Sequence, residues 1–271
     1  MFKEKLGIIG AGNMASAIIK GVLGAGLVEP QHIYIYDTDP QKKIQLIKDT
    51  AVLGAENNND LMQKCSVIIM AVKPDVLDGL LGNIEKDITD QHLLISIAAG
   101  VSSDYIREKI GDKCAVIRVM PNAPVTVGEG MSVINKDHTL DEEKEEIVKS
   151  IFSSMGRVEE ADEKYFDGIT AISGSSPAYV YMFIEALADG GVKMGLDKDQ
   201  AYRLAAQSVL GAAKMVLEQG EHPAVLKDKV CSPGGTTIEA IYTLERRGFR
   251  GAIMEAVEDC ALKAGRLKQK G

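Results

Sequence analysis

The sequence contains no tryptophan, and its four cysteines and four histidines show no spacing that would bind a metal ion. These residues are Cys65, Cys114, Cys231 and Cys260, and His32, His92, His138 and His222. They include no CxxC pair and no histidine pair at ligand spacing, so we expect no metal site. Unpaired thiols are typical of a protein in a reducing compartment.

Basic residues are fewer than acidic ones. The sequence has 31 lysines and arginines and 39 acidic residues, which gives a net charge of −8. The one short basic segment, residues 263–270, resembles a solvated helix end, so we expect no nucleic-acid partner. No uninterrupted apolar run approaches the ~18 residues of a membrane span, and no signal-peptide pattern precedes Leu6. We therefore expect a soluble, cytoplasmic protein whose partners are small molecules or copies of itself.

Short apolar runs alternate with helical patterns in the first half of the chain. The runs cover residues 6–9, 33–36, 67–72, 93–98 and 115–119. This alternation is typical of βαβ units in a doubly wound sheet. From about residue 163 only helical patterns remain, at 176–194, 197–218 and 238–267. The sequence predicts an α/β fold, with a Rossmann-type domain over residues 1–162 and an all-helical domain over residues 163–271.

The predicted helices of the second half carry more apolar residues than a bundle of ~100 residues needs for its own core. Their apolar faces include Met182, Ile184, Leu187, Val192, Leu204, Ala205, Val209, Ala212 and Val216. The surplus favours close helix packing or a subunit interface.

A glycine-rich turn, Gly10-Ala-Gly12-Asn13-Met14-Ala15, lies between the first predicted strand and the first helix. This GxGxxG/A pattern in that position indicates dinucleotide binding. Asp37 ends the second strand, where a carboxylate accepts hydrogen bonds from a ribose 2′-hydroxyl and favours NADH. Thr38, Lys42 and Lys43 could instead hold a 2′-phosphate, and Asp37 could simply cap the next helix.

Three later loops follow predicted strands, at the sheet edge where ligands bind in such folds. Ala71-Val72-Lys73-Pro74 follows the third strand and Ser96-Ile-Ala98-Ala99-Gly100 the fourth. Small residues in the second of these loops would let a nicotinamide ring approach the backbone. Pro121-Asn122-Ala-Pro124 forms a rigid loop after the last strand.

Two predicted helix starts in the second half are rich in hydroxyls and glycines: Ser173-Gly-Ser175-Ser-Pro177, and Ser232-Pro-Gly234-Gly235-Thr236-Thr237. The second would present unpaired backbone N–H groups to an anion such as a carboxylate. The alternative is that Thr236 or Thr237 merely caps the helix.

Taken together, these segments resemble the pyrroline-5-carboxylate reductase family over essentially the whole chain. The resemblance is carried by residues 7–15 (GIIGAGNMA), 71–74 (AVKP), 96–100 (SIAAG), 118–122 (RVMPN), 187–196 (LADGGVKMGL), 210–215 (LGAAKM) and 222–239 (HPAVLKDKVCSPGGTTIE). It implies reduction of 1-pyrroline-5-carboxylate to L-proline, the last step of proline biosynthesis, with hydride from NADPH or NADH. It also implies a helical domain that forms homodimers, which often assemble into decamers.

The resemblance further implies which residues bind each ligand. The cofactor residues are Gly10, Gly12, Asn13, Met14, Asp37, Thr38, Asn58, Ala71, Val72, Lys73, Pro74, Ala98, Ala99, Gly100 and Asn122. The substrate residues are Ser175, Val230, Ser232, Gly234, Gly235, Thr236 and Thr237. Thr237 matches the threonine placed beside the imine nitrogen, where we expect it to orient the ring while water supplies the proton.

The chain departs from the family pattern at two positions. Ser176 stands where many members have glycine, and Asp37 stands where NADPH users commonly carry an uncharged residue, which leaves the choice between NADPH and NADH open. Two other functions also stay open. One is a β-hydroxyacid dehydrogenase-like enzyme, which would use a lysine base such as Lys193 or Lys214, or another imine-reducing oxidoreductase. The other is a non-enzymatic nucleotide sensor, which would need only the glycine turn.

Overall fold

The computed structural model describes residues 4–138 and 140–268. These residues form two compact units. The first contains the described residues up to Gly174 together with those from Cys260 onward, and the second is Ser175–Asp259. The division of the chain into domains at residues 162 and 163 stays a prediction. The basic segment 263–270 lies in part outside the described residues.

An eight-stranded sheet forms the centre of the first unit, in the order β3-β2-β1-β4-β5-β6-β7-β8. Its strands are β1 (Leu6–Ile9), β2 (Ile33–Tyr36), β3 (Leu53–Gly54), β4 (Val67–Met70), β5 (Leu93–Ser96), β6 (Ala115–Pro121), β7 (Gly130–Asn135) and β8 (Gly156–Ala161). The first six strands pair in parallel, with Ile8 opposite both Ile35 and Ile69. Continuous apolar runs form these central strands because both faces of the sheet are covered.

The helices of the first unit cover both faces of the sheet. They are α1 (Asn13–Gly24), α2 (Pro40–Thr50), α3 (Asn58–Lys64), α4 (Pro74–Ile84), α5 (Ser103–Ile110), α6 (Glu142–Ser153) and α7 (Phe166–Ile169). Alternate residues of β4 belong to two separate apolar clusters, Ile69 with α1 residues and Ile68 with α4 residues. The predicted doubly wound sheet is therefore confirmed.

Two strands at the far edge of the sheet were not predicted from the sequence. β7 pairs antiparallel with β6, with Met120 opposite Val133, and β8 then pairs parallel with β7. β8 has the polar sequence GRVEEA and is mostly exposed or half-buried, as expected of an edge strand. An edge strand with one solvated face lacks the apolar run that identifies a buried strand.

The second unit is built from helices alone. They are α8 (Ser176–Lys193), α9 (Lys198–Gln219), α10 (Pro223–Lys229), α11 (Thr236–Arg246) and α12 (Phe249–Lys268), whose last residues belong to the first unit. The continuous helix expected over 238–267 is wrong, because the chain breaks between α11 and α12 at Gly248, whose φ is +73°. Glycine adopts such a left-handed conformation without steric cost.

The buried apolar core of the second unit consists of three alanines, Ala188, Ala201 and Ala205. Larger apolar side chains of the same helices are exposed, among them Met182 at 71% and Met194 at 84%. This distribution agrees with the surplus of apolar residues seen in the sequence. No helix within the described residues combines the length and apolar character needed to cross a membrane.

Candidate active site

The glycine turn between β1 and α1 has the shape of a phosphate-binding site. Gly10 has a φ of +109°, and a side chain there would place Cβ 2.5 Å from the carbonyl oxygen of Ala71. Gly12 is the N-cap of α1, no side chain caps this helix, and a Cβ at Gly12 would meet nothing within 4 Å. The first N–H groups of α1 are thus open to an anion, which fits the pyrophosphate of a dinucleotide.

Asp37 holds the glycine turn to the end of β2. Its Oδ2 accepts a 2.6 Å hydrogen bond from the backbone N–H of Ala11, and its Oδ1 accepts one of 2.7 Å from the N–H of Asp39. The cap of α2 is Asp39, whose carboxylate accepts from the N–H groups of Gln41 and Lys42. The alternative that Asp37 caps this helix is therefore wrong.

A cavity of about 230 Å³ opens beside this turn in the first unit. Five predicted cofactor residues line it: Gly10, Asp37, Thr38, Asn58 and Val72. The remaining lining residues, which the sequence reasoning missed, are Ile9, Tyr36, Val76, Gly79, Leu80 and Asn83. The last four lie at i, i+3, i+4 and i+7 on α4, so they form one face of the helix that follows the 71–74 loop. This helical spacing could have identified them from the sequence as one face of the helix beside the cofactor loop.

The strand order brings the other predicted cofactor loops to the same edge of the sheet. β1 lies between β2 and β4, and β5 is the next neighbour of β4. After these strands come Asn13 and Met14 at the start of α1, Ala71 and Lys73 in the loop before Pro74 begins α4, and Ala98, Ala99 and Gly100 in the loop after β5. Lys73 is exposed at the N-cap of α4, and Gly100 has a φ of +77°. Their contacts with a cofactor stay predictions.

Asn122 forms hydrogen bonds within the protein. Its Oδ1 accepts a 2.9 Å bond from the N–H of Met131, and its Nδ2 donates to the carbonyl oxygen of Ser173 at 3.2 Å. Asn122 thus connects the end of β6 to β7 and to a π-helical segment, Thr170–Gly174. Such segments often occur at functional sites. A role of Asn122 in cofactor binding stays a prediction.

An ion pair between the buried Arg118 and Glu163 was not predicted from the sequence. Arg118 Nη1 donates to Glu163 Oε1 at 2.9 Å, and the Arg118 side chain is only 1% exposed. The Glu163 carboxylate also accepts hydrogen bonds from the Ser103 N–H, the Ser103 hydroxyl and Asn135 Nδ2. These four donors satisfy both carboxylate oxygens. The pair fixes the start of α5, directly after the Ala98–Gly100 loop, to the middle of β6.

In the second unit, the stretch CSPGGTTIEAI forms a tight turn followed by α11. The N–H of Gly235 donates to the carbonyl oxygen of Ser232 at 3.0 Å, and Gly234 has a φ of +66°. Proline at the second turn position and glycine at the third are typical of a type II turn. The N-cap of α11 is Gly235, and no side chain caps the helix. The alternative that Thr236 or Thr237 caps it is therefore wrong.

The predicted substrate residues cluster only in part along this turn. Ser232, Gly234, Gly235, Thr236 and Thr237 are consecutive around the start of α11, with Thr237 half-buried in its first turn. Val230 directly precedes the turn and is 63% exposed. Ser175 lies elsewhere in the second unit, at the N-cap of α8. The binding roles of these residues stay predictions.

Few other groups in the structure offer an alternative chemistry. Burial raises the pKa of the Cys65 and Cys114 thiols to about 12, so neither is a nucleophile near neutral pH. Lys214 is exposed and lies 3.5 Å from Glu218, and Lys193 is exposed at the end of α8. Within the described part of the chain, no cluster of three or more His, Cys, Asp or Glu side chains could hold a metal ion.

Comparisons with known proteins agree with this architecture. The family described as pyrroline-5-carboxylate reductase dimerisation matches residues 163–267, and the family described as NADP oxidoreductase, coenzyme F420-dependent, matches residues 5–100. Pyrroline-5-carboxylate reductase of Escherichia coli (strain K12) is 42% identical over 267 residues, which cover 98% of this chain and 99% of that protein.

Two solved structures are similar over nearly the full length. The NADP-bound pyrroline carboxylate reductase of Plasmodium falciparum is 36% identical, with a TM-score of 0.88 and coverage of 99% of both chains. The pyrroline-5-carboxylate reductase of Coxiella burnetii is 30% identical, with a TM-score of 0.91 and coverage of 98% of this chain and 99% of that one.

The glycine turn, the doubly wound sheet and the helical unit define a nicotinamide-dependent oxidoreductase of the Rossmann class. At 42% identity over nearly its whole length, the chain belongs to the pyrroline-5-carboxylate reductase family. The resemblance seen in the sequence is thereby confirmed, together with the fold class and the assignment as an NAD(P)H-dependent enzyme of this family. The helical half contains the family's dimerisation domain.

Proposed function

We propose that the chain reduces 1-pyrroline-5-carboxylate to L-proline, the last step of proline biosynthesis, and that residues 230–237 bind the substrate. One observation carries the proposal of this site: α11 begins at a glycine turn whose N–H groups have no side-chain cap. A carboxylate is the natural partner of such a turn, because the helix N-terminus carries partial positive charge. That this carboxylate belongs to a pyrroline ring is inferred from the family to which the chain belongs.

In the proposed reaction, a hydride adds to C5 of the ring and a proton is already on the imine nitrogen, so the C=N bond becomes C–N and charge balances. The bound nicotinamide cofactor supplies the hydride. The protein orients the substrate by holding its carboxylate at this turn, where the N–H groups of Gly234 and Thr236 are the proposed donors and the N–H of Gly235 keeps its bond to Ser232. Such positioning lowers the barrier without a strong acid or base in the site.

Thr237 is the proposed catalytic residue because it follows the carboxylate-binding turn directly. Its hydroxyl would accept a hydrogen bond from the protonated imine and so fix which carbon faces the hydride donor. A threonine hydroxyl is too weak an acid to protonate an imine by itself, so water is the proton source. The exposed state of Lys193 and Lys214 gives no support to a lysine-dependent dehydrogenase.

The proposed cofactor site uses the predicted residues of the first unit. The open N–H groups after Gly12 would hold the pyrophosphate, and the cavity beside Asp37, Thr38 and Asn58 would hold the adenosine ribose. The loops that contain Lys73 and Ala98–Gly100 would contact the nicotinamide end. Consumption of the reduced cofactor on addition of the imine, measured with the purified chain, tests the proposal.

We also propose that the second unit forms a homodimer in the cytoplasm and that dimers assemble further into a decamer. A core of three buried alanines is too small to stabilise five helices alone. In a dimer, the exposed side chains of Met182 and Leu204 would be buried against the partner chain.

Light scattering tests the oligomeric state. At micromolar concentration we expect a mass of at least twice the 29.1 kDa of one chain. Replacing Met182 and Leu204 together by glutamate should reduce the mass or cause misfolding, because buried unpaired carboxylates oppose association. Ile44→Glu is the matched control, since Ile44 is 57% exposed on α2 of the first unit. A wild-type mass of one chain would contradict the proposal.

A further inference from the structure

We infer that this chain binds NADH in preference to NADPH, and that the Asp37 carboxylate and the Asn58 side-chain carbonyl at the end of β2 determine that preference. The inference rests on the proposed nicotinamide-dependent function, and it concerns only which of the two reduced cofactors is selected. The two cofactors differ at one position, because NADPH carries a phosphate in place of the adenosine 2′-hydroxyl.

The Asp37 carboxylate is fixed in place. Its two oxygens accept separate hydrogen bonds from the N–H groups of Ala11 and Asp39, at 2.6 and 2.7 Å. A rotation of the carboxylate away from the cavity would break both bonds. Each oxygen still has a free lone pair, so the carboxylate can accept a further hydrogen bond from a hydroxyl. It therefore presents a fixed negative charge to the ribose site.

Within the described residues, the lining of the cavity also lacks a positive side chain that would compensate the charge of a phosphate. Among its lining residues, all within the described chain, there is no lysine or arginine. The two lysines expected from the sequence to hold a phosphate have other contacts. Lys42 Nζ lies 3.6 Å from Asp39. Lys43 Nζ donates to the carbonyl oxygen of Ala55 at 3.2 Å and lies 5.4 Å from the ring centroid of Tyr36, a residue that lines the cavity. A 2′-phosphate with ~1.5 to 2 negative charges would thus face a carboxylate without a paired cation.

Asn58 has a side-chain carbonyl oxygen, an acceptor that no group of the described residues satisfies. Its Oδ1 is buried and has no hydrogen-bond partner within the protein, although Asn58 lines the cavity. A buried acceptor without a partner is unfavourable and needs a donor. The ribose of NADH offers two hydroxyl donors to the two acceptors, Asp37 and Asn58, whereas the ribose of NADPH offers one. Charge and hydrogen bonding therefore favour the same cofactor.

Calorimetric titration of the purified chain with NADH and with NADPH, without the imine, tests the inference. We expect the Kd for NADPH to exceed that for NADH at least tenfold, which is about 1.4 kcal/mol. Asp37→Ser should loosen the glycine turn and weaken both cofactors, but it should lower the ratio of the two Kd values below about threefold. Asp37→Asn, which keeps the side-chain size, replaces it if the serine variant does not fold.

Asp49→Ser is the matched control, because Asp49 is an exposed acid on helix α2, contacts Gln45 and does not line the cavity. We expect it to keep the wild-type ratio within about threefold. Equal or tighter binding of NADPH by the wild type, or a ratio unchanged in both Asp37 variants, would overturn the inference. An equal fall of the ratio in Asp49→Ser would also overturn it.

The same two cofactors separate this inference from the proposed function. Tighter binding of NADH without imine reduction would overturn the proposed function and leave the cofactor preference standing. Imine reduction with tighter binding of NADPH would support the proposed function and overturn the cofactor preference. Binding of neither cofactor would contradict both.

Discussion

Thr237→Ala is expected to lower kcat/KM for imine reduction by roughly 10- to 150-fold. This range follows from the loss of one hydrogen bond to a charged group, worth about 1.5–3 kcal/mol. Because Thr237 is proposed to contact the imine and not the cofactor, the Kd for the reduced cofactor, measured without the imine, should not change. Steady-state kinetics with the imine and a separate cofactor titration measure the two effects.

Thr237→Ser is the control for this substitution, because serine keeps the hydroxyl and removes only a methyl group. We expect it to restore most of the activity. If Thr237→Ala turned over the imine at the wild-type rate, Thr237 would have no role in the reaction. An equal loss in the alanine and serine variants would show that packing, and not the hydroxyl, is what matters at this position.

Gly12→Ala is expected to raise the Kd for NADH and NADPH on the order of tenfold or more, while the melting temperature stays close to that of the wild type. A Cβ at Gly12 meets no protein atom within 4 Å, so the folded chain tolerates it. The added methyl group would instead occupy the space over the open N–H groups of α1, where a pyrophosphate approaches. Calorimetry and thermal unfolding of the same preparation measure both quantities.

Gly24→Ala is the matched control for that substitution. Gly24 ends the same helix, and a Cβ there also meets nothing within 4 Å. We expect unchanged cofactor binding and an unchanged or slightly higher melting temperature, because alanine favours the helix. If Gly12→Ala bound both cofactors as tightly as the wild type, the pyrophosphate would not lie at this turn.

The central sheet was readable from the sequence because buried parallel strands need continuous apolar runs. Residues 67–72 and 93–98 gave that signal, and β4 and β5 lie within them. β8 was missed because it forms the edge of the sheet and its residues are exposed or half-buried, so it has no apolar run. β7 was missed because its buried residues include the polar Ser132 and Asn135. Strand order and the antiparallel pairing of β6 with β7 depend on contacts distant in sequence, which local patterns do not encode.

Several residues of the candidate site could be predicted from the sequence, but the directions in which their side chains point could not. The glycines and Asp37 were identified from their spacing, yet the sequence left open whether Asp37 caps a helix or faces a ribose. In the structure the carboxylate accepts hydrogen bonds from Ala11, across 26 residues, and from Asp39, while Asp37 also lines the cavity. The pairing of Arg118 with Glu163 is equally non-local. Such hydrogen bonds depend on the folded backbone.

The most direct test of the account is imine-dependent oxidation of NADH and NADPH by the purified chain, with the proline formed measured in the same reaction. We expect oxidation that requires 1-pyrroline-5-carboxylate, with one proline formed for each cofactor oxidised. Absence of imine-dependent oxidation with either cofactor, from a folded chain that binds them, would contradict it.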